Sequence, residues 1–169
     1  VLNRAIGKVS ATATLRLEQN QSGSLVVKPF QGWKTVSTGL KSVGAFTYTF
    51  PNYDILADSP LEIGNHTVLQ FEAAGVPHEV AMYGEANYEP KRLLADMKQV
   101  AEESVRLMGE LPVDRYVFIV HNLHKGSGGL EHLNSTTLQV SRWNYGTEQG
   151  YAAFMGLVAH EYFHLWNVK

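Results

Sequence analysis

The chain has 169 residues, 44% of them hydrophobic and 18% charged, which is typical of one globular domain or of one domain with part of another. A formal net charge of −2 and the lack of any apolar run of about 18 residues give no reason to expect nucleic acid or a membrane as a partner. The absence of cysteine excludes disulfides, thiolate metal sites and a cysteine nucleophile.

The first 50 residues alternate between apolar and polar side chains in several short runs, which predicts β-strands. The runs are residues 11–17, 24–27, 33–40 and 45–50, and the first two are separated by turn-forming residues at 19–23. No cluster of ionisable side chains interrupts them. We expect a β-rich scaffold that ends near residue 51.

The turn residues Pro51–Asp54 predict a boundary between this scaffold and the rest of the chain. The segment up to Gly64 is interpreted as a loop, and its acids Asp54, Asp58 and Glu62 as loop or capping carboxylates rather than metal ligands. Two strands, at 67–71 and 79–83, follow it. The histidines that flank them, His66 and His78, are expected to be solvated.

A helix is predicted from Pro90 to Met108, because proline suits the first helical position and an apolar stripe recurs at helical spacing up to Gly109. Buried or half-buried strands are predicted at 115–121 and 137–142. The fold class is therefore α+β. We expect a mostly antiparallel sheet packed on this helix and on a C-terminal helix.

The C-terminal helix carries the pattern H-E-x-x-H, formed by His160, Glu161 and His164. Thr147 is a plausible N-cap, and residues four apart lie on one helical face, so both imidazoles can reach one metal ion. This arrangement favours a zinc site in which Glu161 acts as the base for an activated water. Only five residues follow His164, so a third protein ligand has to come from upstream or from outside this chain.

A second candidate site is the stretch Gly128-Gly129-Leu130-Glu131-His132. Adjacent glycines let a ligand approach the backbone closely, and an acid beside them at a strand edge can meet the free α-amine of a peptide. An extended substrate could also pair with that edge through main-chain hydrogen bonds. The alternative is a glycine-rich turn followed by a surface Glu-His pair.

Three stretches together resemble the glycyl aminopeptidase family of zinc peptidases. They read NYDILADSPLEIG at 52–64, GGLEHLNS at 128–135 and HEYFHLWNVK at 160–169. The resemblance implies an N-terminal β domain, here residues 1–51, and the first part of a thermolysin-like catalytic domain, here residues 52–169. It also implies that a PDZ domain and the C-terminal half of the catalytic domain are missing from this fragment.

The resemblance further implies that His160 and His164 bind one Zn²⁺, with a glutamate beyond Lys169 as the third ligand. Glu161 would be the general base and acid, and Glu131, with Gly128 and Gly129, would bind the substrate. The implied function is removal of small N-terminal residues, Gly or Ala, from peptides with a free N-terminus by a soluble protein of bacterial type. Whether it is cytoplasmic or periplasmic stays open, and the isolated fragment is expected to be inactive.

Two readings from another functional class remain open. The chain could be a non-catalytic metal-binding module, with His132 as a possible third ligand. It could also be a peptide-binding scaffold that uses the sheet edge near Gly128, in which case chelators would leave peptide binding unchanged.

Overall fold

The computed structural model of the chain describes residues 20–168, so the strand predicted at 11–17 lies outside the described residues. The described part is α+β, as predicted. Its strands are β1 (Gly23–Val26), β2 (Thr35–Thr38), β3 (Lys41–Gly44), β4 (Thr47–Phe50), β5 (Leu61–Gly64), β6 (Thr67–Ala73), β7 (Val76–Tyr83), β8 (Tyr116–Leu123), β9 (Ser127–Glu131) and β10 (Ser135–Ser141). Its α-helices are α1 (Tyr53–Ala57), α2 (Pro90–Met108) and α3 (Glu148–Asn167), and a 3₁₀ turn at Asn144–Gly146 precedes α3.

The largest sheet has five strands in the order β6-β7-β8-β10-β9. Its two outer pairs are antiparallel, whereas β7–β8 and β8–β10 are parallel. The prediction of a mostly antiparallel sheet was therefore wrong for the two central pairs. The parallel pairing of β7 and β8 follows from the crossover through α2, since parallel neighbours need a long connection between them. β8 and β10 are parallel because the chain between them runs through β9, on the far side of β10.

The central strand β8 is apolar on both faces because both are covered. Tyr116, Phe118 and Val120 pack into the main core with α2 and α3. Val117 and Ile119 alternate with them and form a smaller cluster with Ala81 on the opposite face. The near-continuous hydrophobic run in the sequence is the expected signature of such a strand.

Residues 20–64, the described part of the N-terminal region, form two smaller sheets, β1-β4-β3 and β2-β5. Leu40, Tyr48 and Phe50 form their buried core, and Ile55 and Leu56 of α1 pack against it. The segment up to Gly64, interpreted from the sequence as a loop, instead contains α1 and β5. That interpretation failed because α1 is a single short helix and β5 is defined by pairing with β2, which lies about 25 residues earlier.

Helix α2 has the bounds predicted from the sequence because both of its ends are specified locally. The Glu89 carboxylate accepts hydrogen bonds from the backbone N–H groups of Lys91 and Arg92, with Pro90 at the first helical positions. Gly109, at φ +100°, ends the helix. Among the described residues, no helix combines the length and the hydrophobicity needed to cross a membrane.

Helix α3 is fixed to the sheet by Tyr162, which lies inside the H-E-x-x-H motif and is fully buried. Its hydroxyl donates a 2.8 Å hydrogen bond to Nε2 of His78 on β7, while Nδ1–H of His78 donates to the carbonyl of Val76 at 2.9 Å. His78 is only 2% exposed and His66 only 7% exposed. The prediction that these two histidines are solvated was therefore wrong.

The burial of His78 makes stability depend on pH. Burial lowers the pKa of His78 below its ordinary value of 6.5. Below about pH 6.5 the unfolded chain takes up a proton that the folded chain does not, so the free energy of unfolding falls as pH falls. From His78 we expect a loss on the order of 1 kcal/mol between pH 7 and pH 5. His78→Gln, which keeps an acceptor for Tyr162, should lack this part of the pH dependence and keep the part due to buried His66. Urea unfolding of both proteins at each pH measures it, and parallel pH profiles would contradict it.

Candidate active site

The H-E-x-x-H motif lies in the last two turns of α3, with its residues divided between the core and the surface. Tyr162 and Glu161 are buried, His164 is half-buried and His160 is exposed. The rings of His160 and His164 are neighbours, with centroids 4.9 Å apart and planes at 87°. Because Thr147 caps the helix through Gly150 N–H, as predicted, the helical register that pairs the two rings is set locally.

Strand β9 brings the second candidate motif to this helix. β9 is an edge strand, paired only with β10 among the described strands, and α3 packs on both. A donor atom of Glu131, one of Glu161 and one of His164 all lie within 4.8 Å of one another. His160 is not part of this three-donor cluster, although its ring lies beside that of His164. Two motifs about 30 residues apart in sequence thus meet at one site.

Gly129 contacts the Glu161 side chain directly. A Cβ placed on Gly129 would lie 2.5 Å from Cγ, Cδ and Oε1 of Glu161, closer than real Cβ contacts. Gly128 beside it has φ +114°, in the region that favours glycine. The two glycines therefore have different roles: Gly128 shapes the strand, and Gly129 makes room for the Glu161 carboxylate.

The surroundings of Glu161 make its carboxylate more basic than a solvated one. Glu161 is 5% exposed, and this burial raises the pKa of its carboxyl above the ordinary value. Nearby His160 and His164 oppose this effect and Glu131 adds to it. A buried carboxylate with a raised pKa is a better proton acceptor than a solvated one, as a general base requires.

The imidazole nitrogens and carboxylate oxygens of this site fit a divalent cation of intermediate softness, such as zinc. Imidazole nitrogens and carboxylate oxygens are the ligands that zinc takes in the absence of cysteine. Nδ1 of His164 is buried and has no hydrogen-bond partner among the described residues. A buried polar atom without a partner is costly, and a cation bound at this nitrogen would remove that cost.

Two acids of the segment interpreted as a loop make contacts that the sequence analysis missed. Asp58 accepts hydrogen bonds from Nδ1–H of His132 at 3.1 Å and from Leu133 N–H at 2.8 Å. Glu62 lies 2.7 Å from Nε2 of His121. Asp58 and His132 are 74 residues apart, so neither periodicity nor spacing signals the contact. The one available signal was that Asp58 and His132 belong to stretches that carry the family resemblance.

One family model and several proteins of solved structure match this chain. Residues 8–65 match the Peptidase M61 N-terminal domain. The chain is also similar to an aminopeptidase N family protein from Idiomarina loihiensis, with 33% identity and a TM-score of 0.83 over 89% of this chain. It spans only 28% of the length of that protein.

A more distant likeness is to a mutant M1 zinc metallopeptidase from Deinococcus radiodurans, with 13% identity and a TM-score of 0.47, covering 86% of this chain and 31% of that one. A comparison with curated proteins gives no match. The likeness at 33% identity is therefore to one protein described as a member of the aminopeptidase N family.

Proposed function

We propose that the chain is the N-terminal part of a zinc aminopeptidase that removes small N-terminal residues, Gly or Ala, from peptides. The observation that carries the proposal is the meeting of Glu131 of β9 with Glu161 and His164 of α3 within 4.8 Å. Two chemistries that an aminopeptidase needs, recognition of an amine and activation of water, thereby lie side by side. The sequence resemblance and the relation to peptidases support the same function.

His160 and His164 would hold the zinc ion, which when bound would polarise the scissile carbonyl and acidify a water molecule. Glu161 would accept a proton from the water whose oxygen adds to the scissile carbonyl carbon, and would deliver that proton to the amine as the C–N bond breaks. Its burial matches this role, because the raised pKa of the carboxyl brings proton uptake and release closer to neutral pH. Gly129 keeps the carboxylate in place from the strand side.

Glu131 would hold the α-ammonium group of the substrate. A carboxylate at the end of an edge strand can pair with that charge while the strand backbone pairs with the peptide. Ser127–Leu130 of β9 are exposed, so their free edge is accessible to an extended chain. Fixing the amine next to Glu161 would restrict cleavage to the first peptide bond.

The test of the proposed function is peptide hydrolysis by the full-length protein and by the 169-residue chain. We expect turnover of dipeptides and short peptides by the full-length protein, lost on dialysis against a chelator and restored by zinc. The isolated chain is expected to show little activity, because two imidazoles alone hold zinc weakly. Activity of the full-length protein that a chelator leaves intact would overturn the proposal.

A second candidate function is a cation-binding module without catalysis, and the cluster of Glu131, Glu161 and His164 favours it. Calorimetric titration of the 169-residue chain with zinc distinguishes the two. Tight binding at one ion per chain, abolished in Glu131→Gln, would favour the module, since Glu131 would then be a ligand. Weak binding that Glu131→Gln leaves unchanged supports the aminopeptidase, in which Glu131 binds the substrate.

We further propose that the two domains meet close to residue 65 and not at residue 51 as predicted from the sequence. The match to the Peptidase M61 N-terminal domain extends to residue 65, and β5 pairs with β2 up to Gly64. Both observations favour a boundary close to residue 65, after β5.

A further inference from the structure

The turn that follows Glu131 is held by contacts from distant parts of the chain. Asp58, the residue that ends α1, accepts from both the ring of His132 and the backbone of Leu133. Asn134 donates its side-chain amide to the carbonyl of Gly39 at 2.8 Å. Described residues 20–64, called the N-terminal module below, therefore contact the β9–β10 turn at three successive residues, His132, Leu133 and Asn134.

The ring of His132 is hydrogen-bonded to Asp58 and lies near enough to Glu161 to act on the pKa of its carboxyl. Its side chain is 11% exposed, and its Nε2 is buried without a hydrogen-bond partner in the described structure. Burying one unpaired nitrogen is unfavourable, so the contact that stabilises this orientation is the one between Nδ1–H and the Asp58 carboxylate. His132 N–H also donates to the Ser135 carbonyl at 2.8 Å, which closes the turn.

Glu131 is the residue that this turn positions. It is the last residue of β9, pairs with Thr136 and is followed directly by His132. Its carboxylate must remain near Glu161 and His164 in order to meet a substrate amine at the correct distance. An edge strand has support from one side only, so its final residue depends on the turn beyond it.

From these contacts we propose that Asp58 and His132 are positioning residues that fix Glu131 and thereby determine the preference for a free α-amine. The proposal rests on the proposed function in one respect, the role of Glu131 as the amine-binding group. Asp58 acts through Nδ1–H of His132 and the backbone of Leu133, and neither residue needs to touch the substrate. The N-terminal module would thus contribute directly to substrate selection.

Hydrogen exchange tests the positioning without any need for activity. In Asp58→Ala, peptides that cover residues 127–136 should exchange several-fold faster than in the unmodified protein, while peptides from α2 keep their rates. Asp58→Asn, which keeps an acceptor oxygen, should give a smaller increase. Unchanged exchange at 127–136 in Asp58→Ala would overturn the proposal, whether or not the protein proves to be a peptidase.

The effect on the amine preference is measured in the full-length protein with two inhibitors. Alaninamide and propionamide differ only in the α-amine. The inhibition constant of propionamide divided by that of alaninamide therefore reports how strongly that amine is recognised. Asp58→Ala should lower the ratio roughly tenfold or more, since misplacing a binding group by about 1 Å has effects of this size. A lower melting temperature with an unchanged ratio would indicate a merely structural role and overturn the proposal.

Two variants of His132 separate its two nitrogens. His132→Asn keeps an N–H donor near the position of Nδ1, whereas His132→Gln places its amide near the position of Nε2. We expect His132→Asn to retain most of the amine preference and His132→Gln to lose it as Asp58→Ala does. The reverse result would assign the function to Nε2 and overturn positioning through Asp58. Absence of peptidase activity in the unmodified protein would refute the proposed function and leave hydrogen exchange to decide.

Discussion

Replacing Glu161 with glutamine is expected to lower the kcat of the full-length protein by about 10²- to 10⁴-fold, the range for loss of a general base. Glutamine has nearly the same shape, so it fills the space between α3 and Gly129 without a cavity. It cannot accept a proton from water at neutral pH. Steady-state hydrolysis of a short peptide, with zinc content measured in the same samples, checks the prediction.

The matched control for this experiment is Glu131→Gln, because both residues belong to the same cluster. Loss of the amine-binding carboxylate should raise KM more than it lowers kcat, whereas loss of the base should act on kcat. If Glu161→Gln keeps full turnover while zinc remains bound, another group takes the proton and the proposed role of Glu161 is wrong.

Replacing Gly129 with alanine is expected to have the second largest effect. The new Cβ would lie 2.5 Å from three atoms of the Glu161 side chain, which is buried and has little space into which it can move. Overpacking of this kind costs about 1–3 kcal/mol of stability. Displacing the carboxylate by about 1 Å could also lower kcat about 10²-fold. Urea unfolding of the 169-residue chain and hydrolysis by the full-length protein measure the two effects.

Gly156 provides the control within the same structure. It lies in α3, and a Cβ added there would meet nothing within 4 Å. Gly156→Ala should therefore stabilise the 169-residue chain by up to about 1 kcal/mol, the difference in helix propensity. If Gly129→Ala is as stable as Gly156→Ala, the close contact between Gly129 and Glu161 does not exist in solution.

The features that the sequence predicted correctly are those with local causes. Helix α2 begins at Pro90 and ends before Gly109, and α3 is capped by Thr147, because each signal lies within a few residues of the helix end. The adjacency of His160 and His164 follows from helical geometry alone. The buried strand β8 was recognisable because it is covered on both faces.

The features that the sequence did not predict depend on distant partners. His78 is buried because Tyr162, which lies 84 residues later, packs against it and donates a hydrogen bond to its ring. The parallel pairing of β8 with β7 and β10 is set by how the chain crosses over. Neither leaves a periodic trace in the sequence. An isolated histidine in a polar stretch therefore looks like a surface residue whichever side it faces.

The candidate site divides in the same way. The pair of histidines and Glu161 could be predicted from five consecutive residues. The approach of Glu131 could be expected only from the family resemblance, because no local pattern places an edge strand against a particular helix. The contact between Asp58 and His132 was missed because a carboxylate after a short helix also suits an ordinary cap.

The hydrogen bond between Tyr162 and His78 has a consequence for the whole of α3. A helix lying on a sheet can in principle rotate about its own axis. Neighbouring residues are about 100° apart around that axis, so a rotation of this size would turn the next residue toward the sheet. Tyr162 locks that rotation, because its buried ring and hydroxyl fit only one setting. The direction in which the imidazoles of His160 and His164 project is thus set by Tyr162. Removing its hydroxyl oxygen, as in Tyr162→Phe, would make the orientation of both rings less well defined.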